Sequence, residues 1–303
     1  MISILINLII LLILPFIMTG IIKKTKAFWC GRKGASIFQP LYDFIKLVKK
    51  DFVISKTTSF VFSLTPLVTI SCIIFAGLFI PLVSGKAIIT IPAGLIIFAY
   101  ILGLGKFFSL IGAMDTGSSF EGMGASREAC FTSIVEPAFF IIMASIMALS
   151  GNYTFESLSK IISNTGNYGA LIAIFAALAL FLMVLIEGCR VPVDDPSTHL
   201  ELTMIHEVMI LDNSASGLAL LSYSSSIKML LISSLIAKLI IPETVSFYPL
   251  LYFALIFIIA IIIGTVESSM ARLRMSHVFE FIFIMSTFAL IVLSLAAVRI
   301  FGG

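Results

Sequence analysis

Charge is what this sequence lacks. Only 12% of its 303 residues are Asp, Glu, Lys or Arg, about half of the ~25% found in soluble domains. With 60% hydrophobic residues and a mean hydropathy of +1.17, the chain is read as an integral membrane protein. The net charge of +3 is too small for a nucleic-acid partner. Cys30, Cys72, Cys130 and Cys189 stand singly, with no C-x-x-C pair, so neither an iron–sulfur cluster nor a zinc site is indicated in this chain. Gly122-Met-Gly124 lacks the third glycine of a nucleotide loop, and His206-Glu207 lacks the second His of a zincin because Ile210 stands there. Lys and Arg are missing before the first apolar run, which is therefore a span and not a cleavable leader. No internal repeat is evident, so the paired interrupted spans of a stand-alone transporter are not suggested.

The apolar runs are continuous over about 20 residues, whereas barrel strands alternate in segments of about 10. The fold class is therefore all-α, with eight transmembrane helices near 2–22, 60–83, 87–110, 129–150, 169–187, 220–241, 247–266 and 279–300, in a single polytopic domain, 1–303. Fourteen of the nineteen Lys and Arg fall on one side, nine of them between the first two spans, with Lys106 counted among the loops of that side. The positive-inside rule makes that side cytoplasmic and puts both termini outside. Fourteen of the sixteen Asp and Glu share it; Glu156 and Glu243 are the exceptions. The outer loops at 84–86 and 242–246 are short. Such concentration of polar groups on the cytoplasmic face suggests a docking surface.

After Gly31-Arg32-Lys33-Gly34, the stretch Leu41–Lys50 places Leu41, Phe44, Ile45 and Val48 on one stripe, with Asp43, Lys46 and Lys50 opposite. It reads as an amphipathic helix lying in the interface. The plain reading of residues 114–129 is a flexible inter-span loop; against it stands Ser126-Arg127-Glu128, which begins the next span. Within the next span, Glu136 precedes Pro137, which is expected to kink it. An intramembrane carboxylate suggests ion pairing or proton transfer; a snorkelling or structural acid is the plainer alternative.

The stretch from Glu187 to Asp212 carries six acids, Arg190, His199 and His206 between two apolar spans. Asp195 followed by Pro196 is a good helix start. A helix from there gives His199, Thr203 and His206 a polar face and Leu202, Ile205, Val208 and Met209 an apolar one. Carboxylates this close cannot all ionise without cost, which suits proton relay; a solvated loop is the alternative. Arg272 and Arg274, in the last inner loop, are either counter-charges for these acids or topology signals.

Four stretches together resemble the H, or first, subunit family of respiratory complex I, which joins the peripheral arm to the membrane arm. They are Gly31-Arg-Lys-Gly34 with Gln39-Pro-Leu-Tyr-Asp-Phe-Ile-Lys-Leu47; Gly124-Ala-Ser-Arg-Glu-Ala129 with Glu136-Pro137; Glu187-x-x-Arg190-x-Pro192-x-Asp194 with Glu201-Leu202; and Glu267-x-x-x-Ala-Arg-Leu-Arg274. The quinone-using form looks like R-x-P-F-D-L-x-E-x-E-x-E-L. Here Val193, Asp195, Ser197 and His199 replace Phe, Leu and two Glu. That run is similar to the equivalent subunit of membrane-bound, energy-converting nickel–iron hydrogenases of the formate hydrogenlyase type.

The resemblance implies a cofactor-free membrane subunit of the cytoplasmic membrane that couples electron transfer to proton or sodium translocation. Its partners would be hydrogenase large and small subunits and an iron–sulfur subunit, which carry the nickel–iron centre and the clusters, with antiporter-like membrane subunits beside it. It implies an ion path through Glu121, Glu128, Glu136, Glu187, Asp194, Asp195, Glu201 and Glu207, with charge set by Arg127, Arg190, Arg272 and Arg274. Arg32, Asp43, Lys46, His199 and His206 would form the docking interface. The competing readings are the quinone-site subunit of an NADH:quinone oxidoreductase and an inert anchor or stand-alone transporter.

Overall fold

The computed structural model describes residues 2–82, 87–151, 154–160, 167–195, 204–242, 245 and 247–301. Eight long apolar helices account for most of them: α1 (Ile2–Trp29), α3 (Phe60–Gly77), α4 (Gly94–Asp115), α5 (Ser119–Ser150), α6 (Asn167–Glu187), α8 (Ala215–Ile240), α9 (Tyr248–Ser269) and α10 (Met275–Phe301). Each is long and apolar enough to cross a bilayer. Two shorter helices, α2 (Gln39–Val48) and α7 (His206–Met209), and a 3₁₀ turn, Phe155–Lys160, lie between them. The protein is a multi-pass membrane protein, and all eight expected spans are present.

Helix α8 is the hub. It packs against α1, α2, α3, α6 and α9, and 72% of its most apolar stretch is buried, against 22% for α4. Around it, α3 pairs with α4, α1 with α9, and α10 with both α5 and α6. Contacts between helix ends fix which ends share a side. Asp115, ending α4, accepts hydrogen bonds from the N–H groups of Ser59 and Phe62 at the start of α3 (2.8 and 3.2 Å). Lys26 near the end of α1 meets Glu267 near the end of α9 at 3.5 Å. The ends of α1, α4, α6 and α9 thus face the same way as the starts of α3, α5, α8 and α10. The two ends of the described chain lie on the other side.

Several boundaries differ from those the sequence suggested. Helix α3 stops at Gly77 and α4 starts at Gly94, so their connection is not the short 84–86 loop. Pro81 and Pro92 cannot donate a helical N–H, yet Phe79, Ile80 and Leu82 are buried; this segment is apolar because it folds back into the core. Conversely, α5 begins at Ser119, ten residues before the expected span, and absorbs most of the supposed loop. Those residues form a helix because they are packed. A Cβ on Gly124 would strike Val208, and would lie 2.9 Å from the Ile205 carbonyl oxygen and 3.0 Å from Met209. On α2 the expected stripe is split: Phe44 packs on Phe16 and Tyr223 (ring centroids 5.5 and 5.2 Å), while Ile45 and Val48 are exposed.

The helix expected to run from Asp195 through His206 is not continuous, since Met204 and Ile205 are not helical. Asp194, not Asp195, caps the short α7, accepting from the N–H groups of Ile205 (3.2 Å) and His206 (2.9 Å). A side chain held by Arg272 can reach a helix start 11 residues on, which local spacing does not reveal. Of the proposed apolar face, Ile205, Val208 and Met209 are buried. Leu202, Thr203 and His199 lie outside the described residues.

Candidate functional site

Four helices each deliver one charged side chain to a single point in the bundle. Glu187, the last residue of α6, receives Lys106 of α4 on Oε1 at 2.6 Å and Lys228 of α8 on Oε2 at 2.9 Å. Lys106 also meets Glu128 of α5 at 3.1 Å. Two ammonium and two carboxylate groups balance formally. Ions removed from water persist only when closely paired, and both oxygens of the buried Glu187 are engaged. A cavity of about 110 Å³ adjoins the cluster, lined by Lys106, Glu187, Lys228 and Glu136. Glu136 lies eight residues beyond Glu128 on α5, about 12 Å along the axis. Among the described residues it has no hydrogen-bond or ion-pair partner.

On the other side of the cluster lies the polar segment after α6. Arg190 meets Glu267 at 3.2 Å, and Lys26 reaches both Glu267 and, at 3.9 Å, Asp195. Arg272 binds Asp194 at 2.9 Å. Arg127 of α5 donates to the Met204 carbonyl at 2.9 Å, and the Leu273 N–H donates to the Pro192 carbonyl at 2.9 Å. These bonds strap the segment to α1, α5 and the α9–α10 junction. They also enclose a cavity of about 420 Å³ whose polar lining includes Lys26, Arg190, His206, Glu207 and Glu267.

Burial, reinforced by the nearby Asp194 carboxylate and only partly opposed by Arg190, pushes the Glu207 carboxyl up to about 7. Burial pulls the His206 imidazole below its ordinary value, and burial raises the Cys189 thiol, which lines the same cavity at a backbone φ of 54°. A third, small cavity of about 20 Å³ touches Lys106, Glu128, His206 and Lys228. Shared walls therefore join all three: His206 connects the wide cavity to the small one, and Lys106 and Lys228 connect the small one to the cavity of Glu136. The arrangement can bind, hold and hand on a proton or small cation along a line of carboxylates with fixed counter-charges.

Of the residues picked from the sequence, this line brings together Glu128, Glu136, Glu187 and Glu207, with Asp194, Asp195, Arg127, Arg190 and Arg272 bracing its entrance. Glu121 stands apart in the first turn of α5. It is fully buried, accepts from the Asp212 N–H at 2.8 Å, and has no partner for its other oxygen among the described residues. Arg274 is exposed, as are Arg32 and Lys46. Asp43 is half-buried and accepts from the Gln39 side-chain amide at 2.8 Å. His206, assigned to the docking face, lines the wide cavity and the small one. Glu201 and His199 lie in 196–203, outside the described residues.

Sequence reasoning missed Lys106, Lys228, Lys26 and Glu267 as site residues. Lys228 carried a usable signal, since a lysine in the middle of a span needs a partner. Lys106 was hidden by its place near a span end, where it passed for a topology charge. Among the described residues, no group of three or more His, Cys, Asp or Glu is placed to hold a metal ion.

Three comparisons bear on this architecture. Hydrogenase-4 component C of Escherichia coli K12 is 30% identical over 77% of this chain and 73% of its own length. Formate hydrogenlyase subunit 4 of the same organism is 26% identical over 86% of each. An NADH-quinone oxidoreductase subunit of Phenylobacterium zucineum is 26% identical over 59% of this chain and 56% of its own. In fold, a chain of the membrane-bound sulfane sulfur reductase, an archaeal respiratory membrane complex, superposes with a TM-score of 0.81 over 97% of this chain and 98% of that one, at 18% identity. Residues 2–298 match the NADH dehydrogenase family, and with its eight spans and the four motif stretches this chain belongs to that family.

Proposed function

We propose that this chain is the membrane subunit of a respiratory-type hydrogenase complex, and that it holds the cytoplasmic redox arm and couples its electron transfer to proton or sodium movement. The observation that carries the reading is Glu187 clamped between Lys106 and Lys228, with acid-lined cavities on both sides. A simple anchor has no use for four ionised groups inside its bundle, where each must recover its lost hydration. The hydrogenase assignment is supported by the relatives over most of their length and by Val193 and Asp195, which depart from the quinone-using pattern.

In this reading both termini face outward, and the Arg190–Glu207 segment faces the cytoplasm. This chain supplies no redox centre. The nickel–iron site and iron–sulfur clusters sit on the large, small and iron–sulfur subunits, and antiporter-like subunits flank the chain in the membrane. A change of charge at the docking face alters the protonation of Glu207. The altered field then reaches Glu187 and Glu136 through the shared cavities, a local electrostatic event read out at a distance.

The test is a mild-detergent pull-down of the tagged chain, with partner identification and metal analysis. Co-purifying nickel and a hydrogenase large subunit is the expected result. Flavin with quinone reductase activity and no nickel would make it a quinone-site subunit. A chain that purifies alone would overturn the complex.

A further inference from the structure

His206 occupies a position that the carboxylate path leaves unexplained. It lines both the 420 Å³ cavity, with Arg190 and Glu207, and the 20 Å³ cavity, with Lys106, Glu128 and Lys228. It stands where the wide cavity meets the buried ionic cluster. Its Nε2 is buried and has no hydrogen-bond partner among the described residues, an expensive condition for a polar atom in the absence of a function. Its backbone is held firmly: the N–H donates to Asp194 at 2.9 Å, Asp194 is held by Arg272, and the rest of α7 packs on α5 at Gly124.

We infer that His206 is the relay through which protons pass between the wide cavity and the Lys106–Glu128–Glu187–Lys228 cluster. This inference rests on the coupling function proposed above and adds to it an imidazole carrier. The imidazole is suited to the task because it carries one N–H donor and one lone pair when neutral, and its burial favours the neutral form. The charged and titratable groups around it are Glu128 of α5, Lys106 of α4, Lys228 of α8, Lys23 and Lys26 of α1, Glu267 of α9, and Asp194, Arg190, Glu207 and Cys189 of the polar segment. The small cavity has room for about one water molecule, enough to bridge the ring to Glu128.

A proton arriving from Glu207 or from the wide cavity binds the free ring nitrogen. The opposite nitrogen then releases its own proton towards Glu128. The ring ends neutral with its tautomer exchanged, and rotation resets it, so one proton enters and one leaves.

The experiment uses the assembled complex in proteoliposomes and reads protons moved per electron transferred, in H206Q, in H206A with and without added imidazole, and in E187Q. Gln keeps hydrogen-bonding capacity but does not titrate in this range. The expected result is at least a tenfold fall in the ratio for H206Q, and a fall for H206A that imidazole reverses in part. A wild-type ratio in H206Q, or an H206A defect that imidazole leaves untouched, overturns the relay. If H206A does not assemble, H206S provides the same cavity. E187Q separates the two levels of the argument: loss in E187Q with a normal H206Q removes only His206, whereas normal ratios in both remove the coupling function as well.

Discussion

Lys106 and Glu187 are 81 residues apart in the chain and meet at 2.6 Å inside the bundle. The pair joins α4 to α6, two helices whose other packing runs through third parties. Removing one charge from such a cluster leaves the others buried without compensation, which typically costs about 3–5 kcal/mol. K106M should therefore lower the thermal midpoint of the detergent-purified protein markedly. K106M/E128Q removes the acid that depends on Lys106 alone, and should recover part of the loss, because neighbouring charges do not contribute additively. A K106M midpoint equal to wild type would show that the cluster is solvated and not structural.

Glu207 gives the stability a pH dependence of unusual sign. Its carboxyl is raised to about 7 in the fold, against about 4.3 for an unperturbed glutamate. Between those values the folded state holds a proton that the unfolded chain has released, so this group's contribution falls as pH rises from about 4.3 and is lost above about 7. In E207Q that slope disappears. Thermal midpoints measured from pH 5 to 8.5 should show wild type losing ground on E207Q as pH rises; parallel curves would mean that Glu207 titrates normally.

How much of this was legible in the sequence depends on the range over which each feature is encoded. The spans were visible because a bilayer imposes a local rule, a continuous apolar run of set length. Asp194 and Glu187 were visible as expensive charges beside such runs. Their partners were not: Lys228 reaches Glu187 across 41 residues and Arg272 reaches Asp194 across 78, and no local period records either contact. The start of α5 failed for a related reason. Gly122-Met-Gly124 looks like a loop when isolated, and becomes helix only because α7 packs against it. His206 was given to the docking interface by the family resemblance, and the bond that holds its backbone to Asp194, 12 residues away, is not recorded in any local pattern.

The two glycines of that helix should behave in opposite ways. A methyl on Gly124 has no room, with the Ile205 carbonyl 2.9 Å from the new carbon, and overpacking of this kind costs about 1–3 kcal/mol. Around Gly122 nothing lies within 4 Å, so alanine there should stabilise the helix by roughly 0.5–1 kcal/mol through its better propensity. Thermal midpoints of G124A and G122A test both. Because Gly124 lets α7 approach α5, G124A should also reduce coupled ion movement, which G122A should leave intact.

Glu136 separates coupling from assembly most cleanly. It is half-buried, lines the cavity that holds Lys106, Glu187 and Lys228, and gives no hydrogen bond or ion pair to any described residue. Replacing it with Gln therefore breaks no contact and leaves no charge stranded, so E136Q should assemble normally and melt within about 0.5 kcal/mol of wild type, as substitutions away from such contacts do. Among the described residues Glu136 is the acid at that end of the line, beyond the point where both oxygens of Glu187 are taken. An ion leaving the cluster must either bind Glu136 or cross the apolar wall of Phe139 and Phe140 unaccompanied, at a cost of several kcal/mol. E136Q should accordingly lower ions moved per electron at least tenfold in proteoliposomes while the complex remains intact. An unchanged ratio would remove Glu136 from the path.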